Sequence, residues 1–233
     1  MTTFDDGLQI SISETNTDVF GETSVGLAVA RIQSDTPPQE MLSDLSPHEQ
    51  LQWLQRASMK AKANCWAARR LGKQLLVERV GGAWQDWQIL NHPNGAPQVY
   101  RLGERSTEHL SIAHSGEWVV CALSMDGLPI GVDIERMKPR THLLAMMHTV
   151  AHPSEHPWLA QNAASLDMMY RYWTAKEALA KWCGCAVGSP RLREMALDFS
   201  ASTWRLMESK YPVQHFVIEY TDYVGAWIVG CRA

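Results

Sequence analysis

The chain predicts an α+β fold laid out in two lobes, and three observations lead there. Its 233 residues suffice for one large domain or for two of roughly 100 residues each. Strand-like stretches flank a long helical region in the first half and another late in the second. The order of strands and helix in residues 1–124 is loosely echoed in residues 125–233, although no repeat shows in the sequence itself. The expected architecture is an N-terminal lobe, 1–124, and a C-terminal lobe, 125–233, related by a pseudo-two-fold. Each would be a small, mostly antiparallel sheet packed on a long helix.

Leu8, Ile10 and Ile12, then Val25, Leu27 and Val29, alternate with polar residues and predict two strands joined through Ser13 to Asn16. A turn-rich connector ends at Ser46, a helix N-cap with Pro47 at the first helical position and Glu49 close behind. A helical region follows from about His48 to Val80, with a break near Ala57 to Lys60, and Gly81-Gly82 stops it. Trp87 and Ile89 mark a strand, Asn94-Gly95 a bend, and Tyr100 to Arg105 a connection. HLSIAHSGEWVVCALS reads as a hairpin around Ser115-Gly116. After Asp126-Gly127 come the strand LPIGVDIE, a helix-like LLAMMHTVA, the turn HPSEHP and a helix from about Ser165 to Trp182 closed by Gly184. Met195 to Phe199, Phe216 to Tyr220 and Tyr223 to Val229 predict the last strands.

Composition narrows the function classes. A 45% hydrophobic, 20% charged chain is ordinary globular material. A net charge of −4, from 25 acidic and 21 basic residues, gives no global field for nucleic acid but leaves room for a local anion pocket. Five scattered cysteines and an acidic opening without an apolar run point to a reducing cytoplasm. No stretch approaches the ~18 apolar residues of a membrane span, so a soluble protein is expected.

Four sets of residues could carry chemistry. Asp133 and Glu135, two apart on a strand, share a face and set two carboxylates side by side, an arrangement that suits a hard divalent cation or simply a solvated face. In YRYWTAKEALAKW, Trp173, Glu177 and Lys181 follow at intervals of four and form one helix stripe. Taken by itself the Glu177–Lys181 pair could be a surface ion pair worth ~0.2–0.5 kcal/mol, but Tyr170 and Trp173 would bury it. His114, beside the hairpin turn at Ser115, could donate to a phosphate or have no role. Arg69, with Arg70 and Lys73 on the long helix, could grip a phosphate bidentately or be solvated.

The joint order of HSGEW, GVDIE and WTAKEALAK resembles the 4′-phosphopantetheinyl transferase superfamily, in its two-lobed type that activates peptide-synthetase, polyketide and fatty-acid carriers. Gly131 to Glu135 and Trp173 to Lys181 match that family's G-x-D-x-E and W-x-x-K-E-A-x-x-K patterns at every specified position. The resemblance implies a cytoplasmic, monomeric transferase that moves phosphopantetheine from coenzyme A, its co-substrate, to a serine of an apo carrier protein. It implies that Asp133, Glu135 and Glu177 bind Mg2+ in a cleft between the lobes, with Glu177 and Lys181 catalytic. Arg69, His114, Ser115, Lys176 and Lys181 would contact the coenzyme. Departures are Ala96, where the family usually has lysine in Gly-Lys-Pro, Ala113 in place of serine, and Gln50 and Gln52 where relatives often place lysines. Arg56, Lys60 or Lys62 are the candidate replacements. Ala96 and Ala113 leave open a catalytically degenerate relative that binds coenzyme A or carriers without turnover. A third class, a histidine metalloprotein, is prompted by His142, His148, His152 and His156, but Pro153 and Pro157 break the helix that would align the last three. Cys183-Gly184-Cys185 has the wrong spacing for a Cys-x-x-Cys site, and the ten tryptophans read as packing.

Overall fold

The computed structural model describes residues 2–4, 8–14, 25–33, 39–93, 95–200, 203–207 and 212–230. The chain divides into two compact units, Met1–Leu128 and Pro129–Ala233.

In the first unit, β1 (Thr2–Phe4), β2 (Leu8–Glu14) and β3 (Val25–Ile32) precede α1 (Pro47–Leu54) and α2 (Met59–Val80). Then come β4 (Trp87–Asn91), β5 (Pro97–Arg101), β6 (Glu104–Arg105), β7 (His109–Ser115) and β8 (Trp118–Ser124). One antiparallel sheet runs β1-β2-β3-β8-β7, and a smaller one runs β4-β5-β6. The predicted strands around Ile10 and Val29 are β2 and β3; the segment 15–24 between them lies outside the described residues. The helical region is interrupted at the expected break, giving α1 and α2, and Ser58 caps α2 by accepting the Ala61 N–H at 3.1 Å. Gly81 and Gly82, both at positive φ, end α2 as expected. The stretch 100–105 is a further hairpin rather than a plain connection. Leu71, Leu75 and Leu76 of α2 pack on Ala28 and Ala30 of β3 and on Cys121 of β8, all buried.

The second unit holds β9 (Ile130–Arg136), α3 (Leu143–His148), α4 (His156–Asn162), α5 (Leu166–Cys183) and α6 (Pro190–Glu194). It closes with β10 (Leu197–Asp198), β11 (Trp204–Leu206), β12 (Pro212–Val217) and β13 (Tyr223–Val229) in an antiparallel sheet ordered β10-β11-β12-β13-β9. β11 and α6 are not anticipated by the sequence reading, and β12 lies at 212–217 rather than 216–220. The apolar run there spills past the strand into a turn where Tyr220 has φ +60°. Leu179 and Trp182 of α5 pack with Val224, Ala226 and Ile228 of β13.

The two units share one topology. In each, a strand leads to a long helix that covers it, and a later hairpin returns its second strand beside the first: β3, α2, β7 and β8 in one, β9, α5, β12 and β13 in the other.

They also share a buried device. Ser46 and Glu49 form a capping box, and the Glu49 carboxylate further pairs with Lys73 of α2 at 2.7 Å and accepts the Ile89 N–H of β4 at 2.9 Å. His152 and Glu155 form the equivalent box, and Glu155 pairs with Lys176 of α5 at 2.9 Å, accepts the Leu197 N–H of β10 at 2.7 Å and accepts the Tyr172 hydroxyl at 2.7 Å. All four ionic side chains are buried, each carboxylate fully hydrogen-bonded as a buried charge must be.

Candidate active site

The acids and Lys181 belong to β9 and α5, and both elements lie in the second unit. Their approach is set by Gly131: a Cβ there would stand 2.0 Å from the Ala178 carbonyl oxygen and 2.7 Å from the Trp182 nitrogen, both of α5. Backbone meets backbone, which only glycine permits. From that contact the pleat carries Asp133 and Glu135 along one face of β9, and the i, i+4 spacing sets Trp173, Glu177 and Lys181 along a half-buried stripe of α5.

The Lys181 ammonium donates to the Val132 carbonyl at 2.9 Å and to Asp133 Oδ1 at 2.9 Å. Its ion pair is thus across to the strand rather than along the helix to Glu177. Asp133 is buried, and its Oδ2 has no hydrogen-bond donor. Burial drives the Asp133 carboxyl above the usual range, with Lys181 pulling it down and Glu135 pushing it up. Glu177 is pushed up to about 7, by burial first, then by the charge of Asp133, with Glu135 adding to it against Lys181. The Glu177 and Asp133 carboxyls stand within hydrogen-bonding reach, a contact that requires a shared proton or a cation to be favourable. Among the described residues no three His, Cys, Asp or Glu side chains form a set ready to hold a metal ion.

Lys176 is the residue the structure sets elsewhere. One residue before Glu177, it points a quarter-turn away into the core, fully buried between Glu155 and the Met195 carbonyl, to which it donates at 2.6 Å. It cannot meet a coenzyme phosphate there.

The anion-contacting candidates Arg69 and His114 lie in the first unit and line one groove of about 280 Å³, together with Arg56, Asn91, Gly95 and Pro97. Arg69 on α2 is buried and donates to Asn91 Oδ1 at 2.6 Å. Asn91 is itself held by Gln52, which accepts the Asn91 N–H at 2.9 Å and donates to its carbonyl at 3.2 Å. Sequence reasoning left Gln52 as a missing lysine; its part in orienting Asn91 rests on a contact 39 residues away. His114 is exposed at the end of β7, Ser115 half-buried beside it, and Ala113 is buried on the opposite side of the strand. The hairpin turn proper is Gly116-Glu117, with Gly116 at φ +59°.

His148, His152 and His156 line a second groove, with His148 and His156 in edge contact at 4.6 Å between ring centroids. His152 Nδ1 is taken by the Ser154 backbone N–H and hydroxyl, at 3.2 and 2.7 Å. No helix of the described residues is long and apolar enough to cross a membrane.

The second unit is an α+β domain whose strand and long helix assemble an acidic cluster with one lysine. Residues 129–227 match the model of the 4′-phosphopantetheinyl transferase superfamily. Similar proteins include a 4′-phosphopantetheinyl transferase of Bacillus subtilis, 37% identical over 41% of this chain and 41% of its own, and the 4′-phosphopantetheinyl transferase gsp of Aneurinibacillus migulanus, 34% identical over 42% of each. The 4′-phosphopantetheinyl transferase HetI of Nostoc is 28% identical over 46% of this chain and 50% of its own. The chain spans about half the length of the relatives it matches, 41% to 50% in these three. The likeness to the 4′-phosphopantetheinyl transferase superfamily lies in the C-terminal unit.

Proposed function

We propose that the protein transfers 4′-phosphopantetheine from coenzyme A to a serine of an apo carrier protein, with magnesium, and releases 3′,5′-ADP. The observation that carries this reading is the grouping of Asp133, Glu135, Glu177 and Lys181 on two elements within the segment that the family model matches.

The donors suit magnesium. They are all oxygens, they repel one another, and Asp133 Oδ2 is a buried acceptor with no donor. Asp133, Glu135 and Glu177 would hold the ion, which when bound neutralises charge on the coenzyme's pyrophosphate. In the reaction the serine oxygen bonds to the β-phosphorus, the bond from that phosphorus to the bridging oxygen breaks, and 3′,5′-ADP departs. Glu177 takes the serine proton directly or through a water. Lys181, 32% exposed and already balancing Asp133, hydrogen-bonds the departing phosphate. Arg69 and His114 contact the nucleotide end of the coenzyme from their groove. A cytoplasmic monomer acting on acyl or peptidyl carriers completes the reading.

The test is mass spectrometry of a panel of apo carrier proteins incubated with the protein, coenzyme A and magnesium. Addition of the phosphopantetheine mass to the carrier serine is expected. Coenzyme A binding without any such addition, on every carrier tried, would leave a binding protein rather than a transferase.

A further inference from the structure

We infer that Cys183 and Cys185 form an oxidisable dithiol, a modification site that hydrogen peroxide closes to a disulfide and glutathione reopens. It is built into the end of α5 and does not depend on the transfer reaction proposed above.

The helix stop assembles the pair. α5 ends at Gly184, which adopts the left-handed conformation at φ +69°. The Gly184 N–H donates to the Lys181 carbonyl at 3.2 Å and the Cys185 N–H to the Ala180 carbonyl at 2.9 Å, the two bonds of a Schellman turn. That turn reverses the chain within one residue, so the side chains on either side of the glycine meet. Cys183 Sγ lies 2.8 Å from Cys185 Sγ, within an ångström of the ~2.05 Å of a disulfide bond. Both are free thiols. The spacing is one residue short of Cys-x-x-Cys, and the left-handed glycine closes the gap.

The two sulfurs differ in a way that gives them separate tasks. Cys185 is half-buried and reachable from solvent, whereas Cys183 is buried, and burial first, then its hydrogen bond to Cys185, pushes its thiol up to about 12. Peroxide therefore meets Cys185, and Cys183 waits behind it as the resolving thiol. The Cys185 thiolate attacks one peroxide oxygen, the O–O bond breaks, and the departing hydroxide takes up a proton to leave as water, giving a sulfenic acid. Cys183 sulfur then attacks Cys185 sulfur, its proton passes to the leaving hydroxide, and a second water departs as the S–S bond forms. The sulfurs have given an electron pair to peroxide, and two glutathione thiols return it by thiol–disulfide exchange. Cys65 and Cys121 contrast with the pair: both are buried, and Cys121 Sγ donates to the Ala68 carbonyl at 3.7 Å.

The test is peptide mass mapping of the full chain after exposure to hydrogen peroxide, alkylation of the remaining thiols and cleavage with trypsin. Lys181 and Arg191 bound one tryptic peptide that holds both cysteines. In wild type that peptide should become lighter by two hydrogen atoms while Cys65 and Cys121 stay alkylated, and reduced glutathione should restore it. Cys183→Ser should stop at a sulfenic acid on Cys185, trapped by dimedone, and Cys185→Ser should react with peroxide at least about tenfold more slowly than wild type, since reactivity follows exposure. Phenylarsine oxide, which bridges neighbouring thiols, should bind the same peptide in the unmutated chain, a readout that needs no variant to fold. A disulfide to Cys231 or between chains, sulfinic acid at both positions without a disulfide, earlier oxidation of Cys65 or Cys121, or no arsenical on this peptide overturns the inference.

Discussion

Gly131 and Ala178 are in backbone contact: a Cβ on the glycine would lie 2.0 Å from the alanine's carbonyl oxygen. Gly131→Ala must push β9 off α5, and since the obstacle is backbone, no rotamer change relieves it. Overpacking of this sort costs typically 1–3 kcal/mol and occasionally more. Thermal unfolding should show a loss at or above the upper end of that range, with carrier modification falling in parallel. A variant that melts like wild type would mean that the two elements can separate freely.

Lys181 neutralises a buried carboxylate as well as facing the reaction. Lys181→Ala strands Asp133, so both stability and turnover should drop, turnover by roughly 100-fold or more in line with acid–base contributions. Glu177→Gln should lower turnover by a similar factor without that loss of stability, because its carboxyl has burial and two like charges working against ionisation. It should also weaken magnesium binding measured by calorimetry. Near-normal turnover in both variants would move the chemistry away from this cluster.

The Glu155–Lys176 pair is fully buried. Removing one partner, as in Lys176→Met, leaves an uncompensated charge and should cost about 3–5 kcal/mol in chemical denaturation. Coenzyme binding per folded molecule should be unchanged, in contrast to a phosphate-contacting lysine. A marked fall in affinity with stability intact would place Lys176 at the coenzyme after all.

His215 gives a pH dependence. Its ring nitrogen meets the Arg171 carbonyl at 3.2 Å and its edge meets Trp204, and burial lowers its pKa from 6.5 to about 4. The unfolded chain takes up that proton near 6.5 and the folded one only near 4, so stability is complete above pH 6.5 and declines as pH falls toward 4. The decline attributable to this residue is at most roughly 3 kcal/mol. His215→Gln should flatten that part of a stability–pH curve; an equal slope in both proteins would assign the effect elsewhere.

Much of the site could be read in advance because its residues sit at regular intervals on regular elements. Asp133 and Glu135 share a strand face, and Glu177 and Lys181 a helix stripe, by period alone. Lys176 was misread for a related reason: adjacency to Glu177 in a motif is not adjacency on a helix, where one residue turns the side chain through about 100°. Gly131 was legible as part of a pattern, but its physical purpose needed the facing helix. Gln52 acts through Asn91, a partner distant in sequence, which periodicity cannot supply. The short strand β11 and helix α6 fall below the length at which a pattern stands out.

Around Glu49 and Glu155, SPHE at 46–49 and HPSE at 152–155 make the same knot in their respective halves. Each carboxylate ties a turn, a helix and a strand at once, so none of the three can work loose without abandoning charge in an oily interior. Opening either knot locally therefore carries the cost of an unpaired buried charge.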